Sequence, residues 1–351
     1  MCSFDGGADL ARELAPSPDA REVARLRDVT AEAVLLWERG LAGPGGAHDI
    51  RADVTDARRG APLEVAAFER IRATAEVACE MHAALAEHAD DAPLIAEVCE
   101  WIDARALRRV ADRLGGALDG RGGIRDDASP GLARARRDVI ELRRQAQEAL
   151  REVAAAVKPH LQEGFITERA GRPVLAVKAS SRSAVPGIVH DTSDSGGTLF
   201  VEPLPVVEAS NRVREALARE REELAAVLAA LRALVEEHGG TLDSAVEALA
   251  EIDLRLARAS LSRAWRGAPV EPGDPLLERA RHPLLDPATA VPIDLDLSSI
   301  RALVVSGPNT GGKTVSLKTL GLFALLHQCG LQPPADRVRL PVFDDVLADI
   351  G

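Results

Sequence analysis

Apolar positions in the first hundred residues return at steps of three and four. Val23, Leu26, Val29, Ala33 and Leu36 make one such stripe, and a stripe of that period is one face of an amphipathic helix. The pattern predicts helices from Ala8 to about Arg113, interrupted at two turn-rich segments, Gly40 to His48 (GLAGPGGAH) and Asp90 to Pro93. A longer loop, Gly115 to Leu132, closes this region. Within it Ser129-Pro130 opens a long helix expected to run to about Leu161.

The period then changes. Between Gly164 and Pro205, ITERAGRPVLAVKA and GIVHDTSDSGGTLFVEP are short β-branched runs separated by Gly, Pro, Ser and Asp, which predicts a small antiparallel sheet. After it Val213, Leu217, Glu220, Leu224, Val227, Leu231 and Leu234 alternate steps of four and three, through a helix ending at Gly239-Gly240. One member, Glu220, is polar. The expected partner of this seam is the long helix opening at Pro130, so that two antiparallel helices carry a β tip. A further helix, about residues 241–264, precedes a Pro/Gly linker, Trp265 to Pro275. Beyond it VPIDLDL and RALVVSG read as strands, GPNTGGKT as a loop and VSLKTLGLFALLHQCG as an apolar helix, the order that begins an α/β domain.

The expected fold is mainly α with a small β insertion, followed by the start of an α/β P-loop domain. Its expected divisions are a helical core at 1–129, a helix pair with its β insertion (164–205) at 130–263, and the first part of a nucleotide-binding domain at 264–351.

Composition bears on this picture at a few points. A chain of 351 residues and 37.2 kDa exceeds what one core usually fills. Its 46% hydrophobic and 28% charged residues are those of a globular protein, and no apolar run approaches the roughly 18 residues of a membrane span. The start, MCSFDGGADL, has neither the basic nor the apolar region of a signal peptide, so a cytoplasmic location without a membrane partner is expected. Cys2, Cys79, Cys99 and Cys329 are widely spaced and read as reduced thiols. With no H-x-x-x-H among eight histidines, no zinc site is expected.

A net charge of -12 argues against nonspecific coating of nucleic acid, without excluding a local grip. Aromatic residues at 3% leave few platforms for stacking single-stranded bases. The four lysines are Lys158, Lys178, Lys313 and Lys318, and the last two fall in or beside the most specific motif of the chain.

That motif is GPNTGGKT: Gly307, Pro308, Asn309, Thr310, Gly311, Gly312, Lys313 and Thr314. It satisfies G-x-x-x-x-G-K-[ST] at every defined position, and chance would supply a match in a chain this long roughly one time in a hundred. Its glycines let backbone N–H groups face phosphate oxygens, the helix start adds positive dipole, Lys313 brings a point charge, and the Thr314 hydroxyl suits Mg2+. ATP with Mg2+ is the expected ligand. Hydrolysis needs a further carboxylate at a strand end; the one candidate, Asp344 and Asp345 in LPVFDDV, follows Pro341 and reads as an ordinary turn after a strand.

SGPNTGGKTVSLKTLGL, with ARHPLL before it and PAD and VFDDVLADIG after it, resembles the MutS ATPases, in particular the bacterial MutS-two branch. The similarity extends through ITERAGRPVLAVK, PGIVHDTSDSGGTLFVEP, DDASPGLARARR and HDIRADVTDARRGAPL, and so covers nearly the whole chain. It implies core helices, a lever helix pair tipped by a small clamp, and an ABC-like ATPase domain. It also implies a homodimer that encircles nucleic acid and completes each nucleotide site from the partner subunit. The expected targets are branched double-stranded DNA during recombination, or the rRNA of stalled, collided ribosomes. By the same resemblance Arg281, His282 and Val291 to Asp294 line a base pocket, with a capping or packing role for His282 as the alternative. In the clamp Arg169, Arg172, Lys178, Arg182 and His190 are candidates to touch a phosphate backbone, balanced by Glu168, Asp191, Asp194 and Glu202.

Members of that branch continue through a carboxylate strand, a signature loop and an Smr nuclease domain, so this chain resembles their front half. Alone it is expected to lack Smr-dependent cleavage and efficient ATP turnover. The competing expectation is a non-catalytic scaffold whose P-loop is a relic.

Overall fold

The computed structural model describes residues 2–169, 171–286, 288–306 and 312–348. Helices α1 (Asp5–Arg12), α2 (Ala20–Glu38), α3 (Arg51–Arg58), α4 (Val65–Ala86), the single turn α5 (Pro93–Ala96) and α6 (Ala104–Ala117) come first. Helix α7 (Pro130–Ala156) leads into strands β1 (Leu161–Arg169), β2 (Arg172–Lys178), β3 (Gly187–Thr192) and β4 (Thr198–Pro203), from which α8 (Leu204–Glu237) returns. Then follow α9 (Gly239–Trp265), β5 (Val270–Pro272), β6 (Leu276–Ala280), β7 (Ile293–Asp296), α10 (Lys313–Gln328) and β8 (Arg337–Leu340). The chain is thus mainly α with two small sheets, and its β insertion begins three residues earlier than the pattern alone suggests. Helix α7 stops at Ala156 because Pro159 offers no N–H to continue it; a 3-10 turn, Lys158–His160, hands the chain to β1. Among the described residues no helix is long and apolar enough to cross a membrane.

Residues 1–113 and 234–351 form one compact unit. Its centre is α9, which packs against α1, α2, α3 and α4. Leu242, Val246, Leu249, Ile252 and Leu256 are buried, and so are Ala245, Ala248 and Ala259 between them. A helix apolar on most of its circumference belongs inside a bundle, and α9 is that helix here. From α2 the stripe Val23, Val29, Ala33 and Leu36 turns inward as its period requires, with Leu26 half-buried. The start of the chain is tied to α9 by Asp253, whose buried carboxylate accepts from the Ser3 amide (2.9 Å), the Ser3 hydroxyl (2.8 Å) and the Phe4 amide (3.1 Å).

The same unit holds the second sheet, in the order β5-β8-β6-β7, with β5 parallel to β8 and the other neighbours antiparallel. Val270, Leu277, Val338 and Leu340 form its core, and α10 lays Phe323 and Leu320 upon it. RALVVSG departs from expectation. Among the described residues, 302–306 pair with no strand, all five are exposed, and Val304 is 88% accessible. A strand exists only as part of a ladder, and the four-stranded sheet offers this segment none.

The C-terminal end of α10 is held to the helical core by buried polar contacts. Gln328 Nε2 donates to the carbonyls of Ser17 (2.9 Å) and Phe343 (3.0 Å), and the Gln328 carbonyl accepts from the Ser17 amide. The Thr30 hydroxyl of α2 donates to the Gly330 carbonyl at 2.6 Å. Gly330 has φ +75°, and a Cβ there would lie 2.5 Å from Leu26 Cβ and 3.0 Å from the backbone of Leu26, so both conformation and space require glycine.

Residues 114–233 form the second unit. Its sheet runs β1-β2-β4-β3, antiparallel throughout, so the chain crosses from β2 to the far edge before returning in β4. Val174 to Val177 of β2 and Val201 to Pro203 of β4 are buried, as central strands should be. Leu150 of α7 and Val206 of α8 join Leu175, Val177 and Val201 in one cluster. Along α8 the expected seam residues Val213, Leu217, Glu220, Leu224, Val227 and Leu231 are each buried or half-buried. The polar member is accounted for: Glu220 pairs with Arg136 of α7 at 3.3 Å.

Candidate nucleotide site and clamp

Gly307, Pro308, Asn309, Thr310 and Gly311 lie outside the described residues, so the structure speaks for the last three positions of the motif. Gly312 is the residue before α10, at φ +78°, with open space where a Cβ would be. Lys313 and Thr314 are the first two residues of the helix. Among the described residues no side chain caps this end, where the helix dipole places its positive end. By contrast Asp19 caps α2 and Ser129 caps α7 with their own oxygens. A left-handed glycine, a helix start, a lysine and a hydroxyl fit a phosphate and its cation.

Three segments named above meet beside β6. The Arg281 amide donates to the Pro334 carbonyl (2.8 Å), and the Asp336 amide donates to the Glu278 carbonyl (3.0 Å). Asp336 faces the guanidinium groups of Arg279 (3.1 Å) and Arg281 (3.8 Å). Asp294 accepts from the Arg279 amide at 2.6 Å, where the chain takes φ +50° at an irregularity in the β6–β7 ladder. RHP, PAD and VPID thus share one corner. His282 does local work there, its Nδ1 accepting from the Leu284 amide at 3.3 Å, while Val291 is 82% exposed. Asp344 and Asp345 are exposed on a segment without regular structure after β8.

In the β insertion the candidate cations face inward or along the sheet. The carboxylate of Glu202, fully buried, accepts from Arg172 Nη1 at 2.8 Å through both oxygens and lies 2.7 Å from His190 Nε2. Arg172 also donates to Asn211 Oδ1 at 2.9 Å. Burial pushes the Glu202 carboxyl up; Ser210, His190 and Arg172 outweigh it, leaving the group below its ordinary value. The Ser210 hydroxyl is buried beside this carboxylate without a well-directed bond of its own. Arg169 pairs with Asp191 (3.2 Å) and stacks over the Phe200 ring at 4.1 Å. Lys178 donates to the Pro159 carbonyl, and Arg182 to those of Val185 and Gly187. Each of the five has a partner within the unit.

No protein-family model matches the chain. Curated relatives do. It is 42% identical over 371 residues to the Endonuclease MutS2 of Thermomicrobium roseum, an alignment that takes in 100% of this chain and 46% of the relative. To the proteins of the same name from Symbiobacterium thermophilum and Pelotomaculum thermopropionicum it is 39% and 38% identical, over 98% of this chain and 44% and 45% of theirs. Over the length it shares with them, the chain belongs to the MutS2 family. It spans less than half the length of these relatives.

The MutS2 resemblance read from the motifs is therefore shown, and the structure adds residues that the motifs did not single out. Glu202 organises the β insertion as a buried acceptor, although the sequence shows only one acid among several balancing charges. Asp253, Gln328 and the Thr30–Gly330 contact join segments more than 200 residues apart, except where Gln328 reaches Phe343. Nothing in a local window marks such pairs. The four cysteines are free thiols, Cys79 and Cys329 buried, and burial pushes all four up.

Proposed function

We propose that the chain supplies the front part of an ATP-dependent MutS2 clamp on nucleic acid: a helical core, a lever pair with a β clamp, and the opening segment of an ABC-like P-loop ATPase domain. Identity to the MutS2 relatives across the entire chain carries this reading, and the GPNTGGKT motif ending at the start of α10 supports it. Gly312 gives the loop its left-handed turn, the first amides of α10 face the phosphates, Lys313 adds charge and Thr314 offers a hydroxyl to Mg2+. Bound ATP with Mg2+ would supply the free energy of phosphoryl transfer to drive opening and closing of the clamp. The substrate is branched double-stranded DNA, where the clamp restrains recombination, or the rRNA of a stalled, collided ribosome, and the working form is a homodimer in the cytoplasm. Efficient turnover and Smr-type cleavage belong to the parts that the longer relatives contain.

The exposed, unpaired run at residues 302–306 favours a second reading, a scaffold in which the P-loop is a relic. Titration of a fluorescent ATP analogue with Mg2+ separates the two. The first reading expects saturable binding that Lys313→Ala weakens by roughly tenfold or more, about the value of one charge-assisted contact. No binding, or binding that Lys313→Ala leaves unchanged, would establish the scaffold.

A further inference from the structure

Helix α6 has two faces of opposite character. Ala106, Leu107, Val110, Ala111 and Leu114 are buried, whereas Arg105, Arg108, Arg109 and Arg113 are exposed, with Asp112 as the acid among them. None of these arginines has a carboxylate within ion-pairing distance, Asp112 included, among the described residues. The other long amphipathic helices interleave their charges. On α7 the exposed Arg137, Arg143 and Arg144 alternate with Asp138, Glu141 and Glu148, and Arg144 is paired with both glutamates.

Arg105, Arg109 and Arg113 are four apart, so they stand one above another, in a row about 12 Å long at 1.5 Å per residue. Like charges at that spacing destabilise an isolated helix, and among the described residues no ion pair offsets them. Glu76 and Glu80 of α4 lie with Arg108 and Asp112 around Cys79, and Glu76 is already bound to Arg72. In a chain of net charge -12 this row is a local surplus of cation. The basic side chains of the β insertion, by contrast, already have partners within their own unit.

We propose that the exposed face of α6 is a docking surface for the sugar–phosphate backbone of duplex DNA. The proposal rests on the nucleic-acid reading above and assigns part of the grip to the helical core in place of the β clamp. Guanidinium groups spread along about 12 Å of helix can engage several phosphates of the duplex. The face holds no aromatic side chain on which an unpaired base could stack; Trp101, just before α6, lines a separate cavity with Arg12, Arg51 and Glu251. Regular B-form duplex is the preferred partner because its major groove, about 12 Å wide, admits a helix and brings both backbones within reach, whereas that of A-form RNA is too narrow.

The test is fluorescence anisotropy of a 30-base-pair DNA duplex, and of an RNA duplex of the same sequence, with the 351-residue chain between 50 and 200 mM salt. The Arg105→Gln, Arg108→Gln, Arg109→Gln and Arg113→Gln quadruple variant is compared with a control that removes equal charge at scattered exposed positions, Arg21→Gln, Arg59→Gln, Arg214→Gln and Arg266→Gln. Far-UV circular dichroism checks that each retains the helix content of the parent. The expected result is a loss of DNA affinity on the order of tenfold or more at 0.1 M salt, with a salt slope smaller by about 3 to 4, for the α6 variant alone. DNA binding by the parent that both variants lower equally would overturn the α6 assignment and leave the clamp reading standing. A parent that binds no duplex of either kind would overturn both. A loss confined to RNA would overturn the choice of DNA as partner.

Discussion

Arg172→Leu removes one member of a buried ionic cluster while leaving the others in place. Glu202 is 0% and Arg172 12% exposed at the side chain, and two 2.8 Å contacts join them. Breaking a buried pair by deleting one partner costs about 3–5 kcal/mol, because the remaining charge keeps its desolvation penalty. His190 at 2.7 Å still faces Glu202 in the variant, which places the expected loss at the low end, about 3 kcal/mol. At 1.4 kcal/mol per decade that is on the order of a hundredfold in the opening equilibrium. All three tryptophans, Trp37, Trp101 and Trp265, lie in the other unit, so fluorescence is blind to this event. Amide hydrogen exchange read by mass spectrometry is the suitable assay, following β2 and β4, whose amides should lose about a hundredfold in protection. The double variant Arg172→Leu with Glu202→Leu should recover part of this, since it removes both desolvated charges. If the single variant changes protection less than about threefold, or the double variant is worse than either single one, the cluster does not hold the sheet as argued.

Gly330→Ala should destabilise the first unit by about 1–3 kcal/mol or more, from a left-handed backbone and a Cβ 2.5 Å from Leu26, lowering the midpoint of thermal unfolding by circular dichroism. His327 is buried at the end of α10, and burial, with Arg27 nearby, lowers its pKa to about 4. Since the unfolded chain binds that proton near pH 6.5 and the folded chain does not, stability should be full above 6.5 and fall as pH drops toward 4, and His327→Leu should flatten this part of the urea-midpoint profile. Glu202 acts at a lower pH: its folded pKa is depressed, so its contribution is present above about 4.5 and is lost as pH falls through the folded value, which exchange in β4 will report. Asp253→Ala leaves the Ser3 and Phe4 amides without their buried acceptor, and protection of residues 3–10 should drop by on the order of tenfold or more.

Periodicity alone determined most of the elements of this protein. The stripe in α2, the seam of α8, the helix start at Ser129-Pro130 and the change to short β-branched runs are local signals, each readable within one continuous stretch of chain, and the structure forms the elements they describe. Motif segments such as GIVHD and TLFVEP gave the family for the same reason, because identity in a short window needs no partner. The tertiary structure decided the rest. Among the described residues it left 302–306 without a ladder, since strand formation requires a neighbour that a local pattern does not contain. It turned Arg172 and His190 toward Glu202, which lies 30 and 12 residues away in the chain, and it required glycine at 330 because Leu26, some 300 residues earlier, fills the space. Burial, register and the pairing of buried charges depend on which distant segments meet. That is a property of the packed molecule, and no single window of the sequence contains it.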